Sequence, residues 1–469
     1  MTASPTALPD FMALRPVIVG AGPAGVRAAE ALVAAGLRPM VIDEAARWGG
    51  QIYRQPPDGF QRPKRALYGF EAGKADALHR AMGGILPAVD YRPRSLVWNI
   101  EAGALDVTCD GRSETVPFSH LILAPGATDR VLPFPGWTTP GVFTLGGSQV
   151  ALKFQGCAVG SRVLFLGTGP LLYLVAYQYA KAGAEVAGVL DTARTADQMR
   201  AVAGMLRDPA TFAKGLYYVG WLRAHGVPMH SGVRPVRVEG DGRVEALVWR
   251  RGDREERTVC DAVAFGLGLR PETQLADLAG CRFRFDAMDR AWVPERTAAG
   301  RTSITGVYVA GDGAGIAGAD AAEMAGERAA LALLEDIGHS FDAARAAHLE
   351  ERLAASARFR RALTDAFPFP ADWAASVPDD TLLCRCEEIT AGILRQAARD
   401  GAAPEINRMK ALTRVGMGRC QGRMCGAASA ELLAQALGTG PDGVGRLRGQ
   451  PPVKPLPFSA ALTEEEVSS

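Results

Sequence analysis

Short apolar runs that end in glycine turns set the pattern of this chain. Pro16-Val17-Ile18-Val19 is apolar without alternation, which fits a parallel strand buried on both faces. It enters Gly20-Ala21-Gly22-Pro23-Ala24-Gly25, and the small-residue stretch to Gly36 predicts a helix. A second apolar run, Pro39-Met40-Val41-Ile42, ends on Asp43. Strand, helix and strand in this order form one βαβ unit. The pattern returns after Ser161. Val163-Leu164-Phe165-Leu166 leads into Gly167-Thr168-Gly169-Pro170, a helix is expected over about 171–182, and a strand over 185–190 is followed by Asp191. Two such units predict two dinucleotide-type domains, one inserted into the other.

Three further apolar runs end in glycine turns: Leu121 to Ala127, Ala262 to Gly268, and Val307 to Asp312. An alanine-rich helix is expected over about 319–335. After it come a helical linker over 341–378, a four-cysteine segment, and a Pro/Gly-rich tail suited to lie on a surface or on a partner. The expected division is a first dinucleotide domain over 10–155 with a return segment at 271–340, and a second over 156–270. The linker, a cysteine module over 379–438 and the tail over 439–469 complete it.

Composition excludes several classes. A length of 469 residues favours two to four domains, and 48% hydrophobic with 22% charged residues is ordinary for a globular protein. Lys+Arg number 52 and Asp+Glu 51, so no global field draws nucleic acid. No apolar run reaches the length of an integral membrane segment, and Met1 to Pro16 lacks a basic stretch followed by an apolar one. A cytoplasmic chain is expected. The six histidines form no ligand-spaced pair.

The glycine turns carry the first candidate chemistry. Gly20 permits the strand-to-helix turn, Gly22 admits a pyrophosphate to the backbone, and Gly25 allows close helix–strand packing. Pro23 and Ala24 open the helix, whose free N–H groups and positive dipole end face the phosphates. Asp43, with Glu44 as the adjacent alternative, stands where an acid accepts ribose hydroxyls. Gly49, Gly50 and Gln51 form a loop that lets backbone lie against a cofactor. Gly311-Asp312 ends a strand with a carboxylate suited to a ribityl chain, or to capping the next helix. In the second unit Gly167 and Gly169 are present, but Leu172 stands at the third glycine position, so its helix must stand off or repack. Asp191 suits a ribose 2′-hydroxyl. Either a nicotinamide site or a mainly structural, adenine-nucleotide-like site fits this unit.

Cys109, Cys157, Cys260 and Cys281 are scattered and provide no CxxC or CxxxxC pair beside the first nucleotide site, which argues against a disulfide reductase. Cys384-Arg385-Cys386 and, after 33 residues, Cys420 to Cys425 form CxC and CxxxxC pairs. Four thiolates suit a [2Fe-2S] cluster or zinc. The glycines 416, 418, 422 and 426 and the arginines 385, 414, 419 and 423 around them favour the cluster, through backbone N–H groups to sulfur and compensating charge.

These motifs, with Ala124-Pro125-Gly126-Ala127, stand in the order found in the two-dinucleotide flavoprotein superfamily, which the chain resembles over about 14–335. That resemblance implies FAD held by Gly20, Gly22, Gly25, Asp43, Gly50, Gly126 and Asp312, with Ala124 and Gly311 beside them. The run Leu412 to Gly422 is similar to the BFD-like (bacterioferritin-associated-ferredoxin-like) [2Fe-2S] domain fused to amino-acid-oxidising flavoproteins. The combination resembles the large subunits of opine oxidases and D-hydroxyproline dehydrogenases, the B subunit of hydrogen cyanide synthase and part of the sarcosine oxidase alpha subunit. It implies an α/β fold with an NAD-type Rossmann-like domain inserted in an FAD-type one, followed by a small helical BFD-like domain. It also implies an oxidoreductase for an amine or imino acid, with two kinds of partner: a smaller FAD-dependent amine-oxidising chain and a small ferredoxin-like one. NAD or another adenine nucleotide is a further cofactor candidate. An NADH-dependent reductase using its own cluster is the alternative.

Overall fold

A computed structural model describes residues 14–57, 59–60, 62–401 and 403–461. The expectations for the first 13 residues and for the end of the tail lie outside the described residues. Two five-stranded parallel sheets organise the chain. The first runs Val307–Val309, His120–Leu123, Pro16–Val19, Met40–Ile42, Asp90–Arg92. Pro16–Val19 is central and wholly buried, so the glycine turn that follows it emerges from the middle of the sheet's C-terminal edge. The second sheet runs Met229–Ser231, Glu185–Asp191, Arg162–Thr168, Ala262–Leu267, Val142–Thr144. The edge strand Val307–Val309 of the first sheet is reached only after the whole second sheet, so the second unit is inserted in the first. Each unit also carries a three-stranded antiparallel meander, Ser95–Pro117 and Val233–Val259.

The third-glycine departure is resolved by repacking. Leu172 is fully buried in the core that includes Val163, Phe165 and Val175, so the helix Pro170–Lys181 keeps its contact through side chains. The stretch expected as a linker contains the helix Ala343–Ala366, which buries Ala346 and Leu349 near its start and Ala362 and Ala366 near its end. Its Ala362 and Ala366 meet Ala201 and Met205 of the inserted unit, and Arg360 pairs with the buried Asp289.

The C-terminal module shares its core with the junction of the two nucleotide units. Leu383, Leu394, Met409 and Leu432 cluster with Leu132, Leu267 and Trp373. The Trp373 indole donates to the Pro133 carbonyl (2.8 Å) and Trp137 to the Leu382 carbonyl (2.6 Å). Arg290 grips Glu431 through two hydrogen bonds of 2.8 and 2.7 Å, and the Glu431 side chain is only 10% exposed. Removing the arginine leaves a carboxylate without its counter-charge. Arg290→Ala is therefore expected to destabilise docking of the module by about 2–3 kcal/mol, seen as a lower urea midpoint for the C-terminal probe Trp373. An unchanged midpoint would show that this pair is only a surface contact.

Described residues of the tail lie against the first unit. Val453 is buried and donates its N–H to the Trp98 carbonyl (3.1 Å), and Lys454 pairs with Glu44. No helix among the described residues is long and apolar enough to cross a membrane.

Candidate flavin and iron–sulfur sites

The first site is built on the turn after Val19. Gly20 has φ +103°, a conformation that side-chain-bearing residues avoid, and a Cβ on Gly25 would lie 1.7 Å from the Gly20 carbonyl oxygen. Turn and helix are thus in backbone contact. The helix Pro23–Ala34 has no side-chain cap and no acid in its first turn, so its N–H groups are left for an anion. At Gly22 a Cβ would meet only the Gly50 Cα, at 3.7 Å, which leaves a cradle that a methyl group would fill. Gly49 donates its N–H to the Ala21 carbonyl (2.8 Å), which brings the Gly49-Gly50-Gln51 loop over the glycine turn. Asp43 accepts from the Ala21 and Ala45 N–H groups (2.5 and 2.7 Å), and burial pushes its carboxyl up against those two bonds. Glu44 is engaged by Lys454 of the tail, which leaves Asp43 as the acid at the glycine turn.

Ala124 supplies the wall behind Gly20, and Gly126 follows at φ +76°. The Thr128 hydroxyl just beyond is buried with no hydrogen-bond partner among the described residues, a group available to a cofactor. Gly311 lies against Ala24, and Asp312 accepts from the Ala317 and Gly318 N–H groups (2.8 and 3.0 Å), shaping the approach to the helix Ala319–Asp336. Uncapped helix end, open cradle, ribose-side acid and orphaned hydroxyl fit FAD.

The second unit differs. Gly167 is pressed against the Gly266 backbone, and Gly169 opens the helix at φ +97°. Asp191 is 1% exposed. It accepts from the Tyr173 hydroxyl (2.6 Å), the Gln198 amide (3.0 Å) and the Ala193 N–H (2.8 Å). The groups that a ribose would offer are thus already supplied from within the chain. Neither Tyr173 nor Gln198 stands out in the sequence. The signal is the absent third glycine, which lets a large side chain follow Leu172 into this corner. Burial pushes the Asp191 carboxyl up to about 6, against the bonds from its partners. A carboxyl raised in the fold lends stability at low pH that is lost as pH rises through about 6. Asp191→Asn, neutral throughout, is therefore expected to be about 1–3 kcal/mol more favourable, relative to the native chain, at pH 8 than at pH 4, in thermal melts at both values.

The four C-terminal cysteines converge from separate elements. Cys384 ends the strand Leu382–Cys384, Cys386 follows in an exposed turn, Cys420 lies in the glycine turns, and Cys425 starts the helix Gly426–Leu437. Cys425 contacts Cys384 and Cys420, and Cys420 contacts Cys386. Gly418 is needed because a Cβ there would come 2.3 Å from the Cys386 Cβ. The Cys384 thiol is pulled down to about 6 by Cys425, against burial, with help from the Gly416 N–H. Cys420 is pulled down to about 5 by Cys425, again against burial, with help from the Met424 and Gly422 N–H groups. Cys425, which supplies those hydrogen bonds, is held up by them. Stabilised thiolates are what iron or zinc requires. Among the described residues no three thiol, imidazole or carboxylate groups converge on one point for a single ion. A chain of thiol pairs instead fits a two-iron unit, in which each iron takes two thiolates. Of the nearby arginines, Arg414 pairs with Glu387 (2.7 Å) and Arg423 with Glu272 (2.8 Å), so their charge is shared with carboxylates.

Glu272 belongs to a segment that the sequence did not mark. Its N–H donates to the Gly126 carbonyl (3.0 Å) on the flavin side. On the cluster side its carboxylate holds Arg423, Gln274 donates to the Gln421 carbonyl (2.7 Å), and Arg270 reaches the Gly422 and Arg423 carbonyls (3.4 Å each). Residues 270–274 therefore join the two candidate sites. Another large opening, about 750 Å³ around Gly160, Ser161 and Asp261, lies at the N-terminal edge of the strand Arg162–Thr168, the wrong end of a parallel sheet for ligand chemistry.

Comparison with known proteins agrees with this geometry. The pyridine nucleotide-disulphide oxidoreductase family model matches residues 14–329, and the BFD-like [2Fe-2S] binding domain matches 382–435. The chain is 38% identical to the A subunit of opine oxidase from Agrobacterium tumefaciens (strain Ach5), over 96% of this chain and 91% of that one. It is 36% identical to the HcnB subunit of hydrogen cyanide synthase from Pseudomonas aeruginosa, over 96% and 98%. In fold it is similar to a crystal structure of L-proline dehydrogenase from P. horikoshii, with TM-score 0.70, 20% identity, and 96% of this chain and 79% of that one covered. The chain belongs to the pyridine nucleotide-disulphide oxidoreductase family and carries a C-terminal BFD-like [2Fe-2S] domain, which makes it a flavin- and iron–sulfur-dependent oxidoreductase.

Proposed function

We propose that the chain is the FAD- and [2Fe-2S]-containing component of a hetero-oligomeric amine or imino-acid dehydrogenase, of the opine, D-hydroxyproline or glycine type, relaying electrons from substrate oxidation to an acceptor. FAD, when bound, exchanges electron pairs, whereas a [2Fe-2S] cluster carries one at a time, so a chain with both connects two-electron oxidation to a one-electron acceptor. The observation that carries the reading is the segment 270–274, which touches the Gly126 turn and the Gln421–Arg423 loop together. On this reading Gly20, Gly22, Gly25 and Gly50 hold the pyrophosphate, Asp43 the ribose, and Asp312 with its loop the ribityl side. Cys384, Cys386, Cys420 and Cys425 hold the cluster. Arg270, Glu272 and Gln274 keep the cluster loop against the flavin wall. Two relatives are named as subunits, which supports the presence of partner chains; the partners proposed are a smaller amine-oxidising flavoprotein and a small ferredoxin-like chain.

The internal bonding of Asp191 works against a nicotinamide-driven reductase, because ribose binding would have to displace Tyr173 and Gln198. The test is to recover the tagged protein from its native host and record its visible spectrum with an opine, D-hydroxyproline, glycine and NADH. Co-purification of a second flavoprotein, with bleaching by one of the amines and not by NADH, is expected. Bleaching of the isolated chain by NADH alone would replace this reading with the reductase one.

A further inference from the structure

A second cavity, about 120 Å³, lies between the segment Arg62–Gly69, with its short helix Lys64–Tyr68, and the helices Pro170–Lys181 and Pro209–Ala224. Its charged lining among the described residues is all of one sign: Arg62, Arg65, Lys153 and Lys181, with no described carboxylate lining it. Lys153 is the unusual member. It is 4% exposed and sits on the π-helical turn Ala151–Gln155, a distortion that recurs at functional sites. Among the described residues its Nζ meets the Ile52 carbonyl at 3.3 Å and, more distantly, the face of Tyr68 at 6.0 Å. Burial pushes the ammonium down to about 8, and no carboxylate opposes the shift. A buried ammonium is ordinarily paired, since desolvating it alone is costly. The nearby Glu71 is no substitute, because it is held by Lys214 (2.5 Å) and Lys74 (3.2 Å).

We propose that this cavity binds a small organic carboxylate, with Lys153 at its floor and Arg62, Arg65 and Lys181 at its mouth. The mouth assignment follows from exposure, since Arg65 and Lys181 are exposed and Arg62 is half-buried. An organic anion fits better than an inorganic one because Leu67, Leu152 and Leu174 supply apolar wall between floor and mouth. A cavity near 150 Å³ holds a six-carbon ring, so this one takes roughly four to six heavy atoms. The Ile52 carbonyl joins the floor to the end of the Gly49–Gln51 loop over the glycine turn, so the cavity floor lies one peptide from that loop. The site is independent of which amine the enzyme oxidises, and reduction of the flavin by amines would be unaffected by its failure.

The test is titration calorimetry of the cofactor-loaded protein with pyruvate and acetate, and with acetamide and inorganic phosphate as controls. Both carboxylates are expected to bind once per chain, with acetamide and phosphate at least about 10-fold weaker. Lys153→Met, which keeps the volume and removes the charge, is expected to weaken pyruvate about 10- to 100-fold while retaining FAD and the native melting temperature. Should that variant fail to fold, Lys181→Gln at the exposed mouth is expected to weaken pyruvate about threefold or more. Native-like affinity in the variant, phosphate binding as tight as pyruvate, or no carboxylate binding by the native chain would each overturn the proposal.

Discussion

Cys386→Ser is expected to abolish the iron–sulfur absorption and electron delivery to a one-electron acceptor, while FAD stays bound. Cys386 is exposed, in a turn outside the hydrophobic core of the C-terminal module, so serine costs little packing. It does remove one of the four thiolates proposed to hold the cluster, and a cluster iron that loses a thiolate is poorly retained. Flavin should survive because the glycine turn, Asp43 and Asp312 lie in a different unit, joined to the cluster loop through residues 270–274. Iron analysis, the visible spectrum and the flavin-to-protein ratio after gel filtration read the three quantities separately. Loss of both cofactors together would show that the two sites do not fold independently. Cys425→Ser should behave worse, because Cys425 is 0% exposed and a buried hydroxyl replaces a weakly polar sulfur.

The second large effect is expected at Gly25. A methyl there would stand 1.7 Å from the Gly20 carbonyl oxygen, with the Gly20 carbonyl carbon at 2.9 Å, so the strand-to-helix turn must open. Gly25→Ala should cost about 1–3 kcal/mol of stability and about 10- to 100-fold or more in FAD affinity. Gly22→Ala is the informative companion. Its Cβ meets only the Gly50 Cα at 3.7 Å, so the protein itself has room, but the methyl would occupy the cradle at the helix N-terminus. Loss of FAD with an unchanged melting temperature in Gly22→Ala, against loss of both in Gly25→Ala, separates phosphate recognition from helix packing. If Gly22→Ala keeps native FAD content, the pyrophosphate is not held at this turn.

The amino-acid sequence by itself determined the local elements and the cofactor class. Short apolar runs without alternation, bounded by glycine turns, fit buried parallel strands, and the glycines at 20, 22 and 25 answer a steric demand made within a few residues. CxC and CxxxxC likewise point to a thiolate-held metal centre, and the glycines and arginines beside them favour iron–sulfur over zinc. The insertion of one nucleotide unit in the other was legible because each βαβ unit is complete in sequence.

What crosses between distant segments was decided by the tertiary structure. Asp43 and Glu44 are equivalent in sequence, and it is Lys454, 410 residues on, that engages one and leaves the other at the glycine turn. Asp191 reads as a ribose acceptor until folding places Tyr173 and Gln198 on it. Glu272 has no motif, yet it links the Gly126 turn to Arg423. Lys153 is a lone lysine within Ala151-Leu152-Lys153-Phe154 with no motif, and its isolation from any acid among the described lining residues is a property of three packed segments. The physical reason is common to all four. A backbone's preference is set by its neighbours in sequence, whereas the partner of a charge is set by whatever folding brings within about 4 Å.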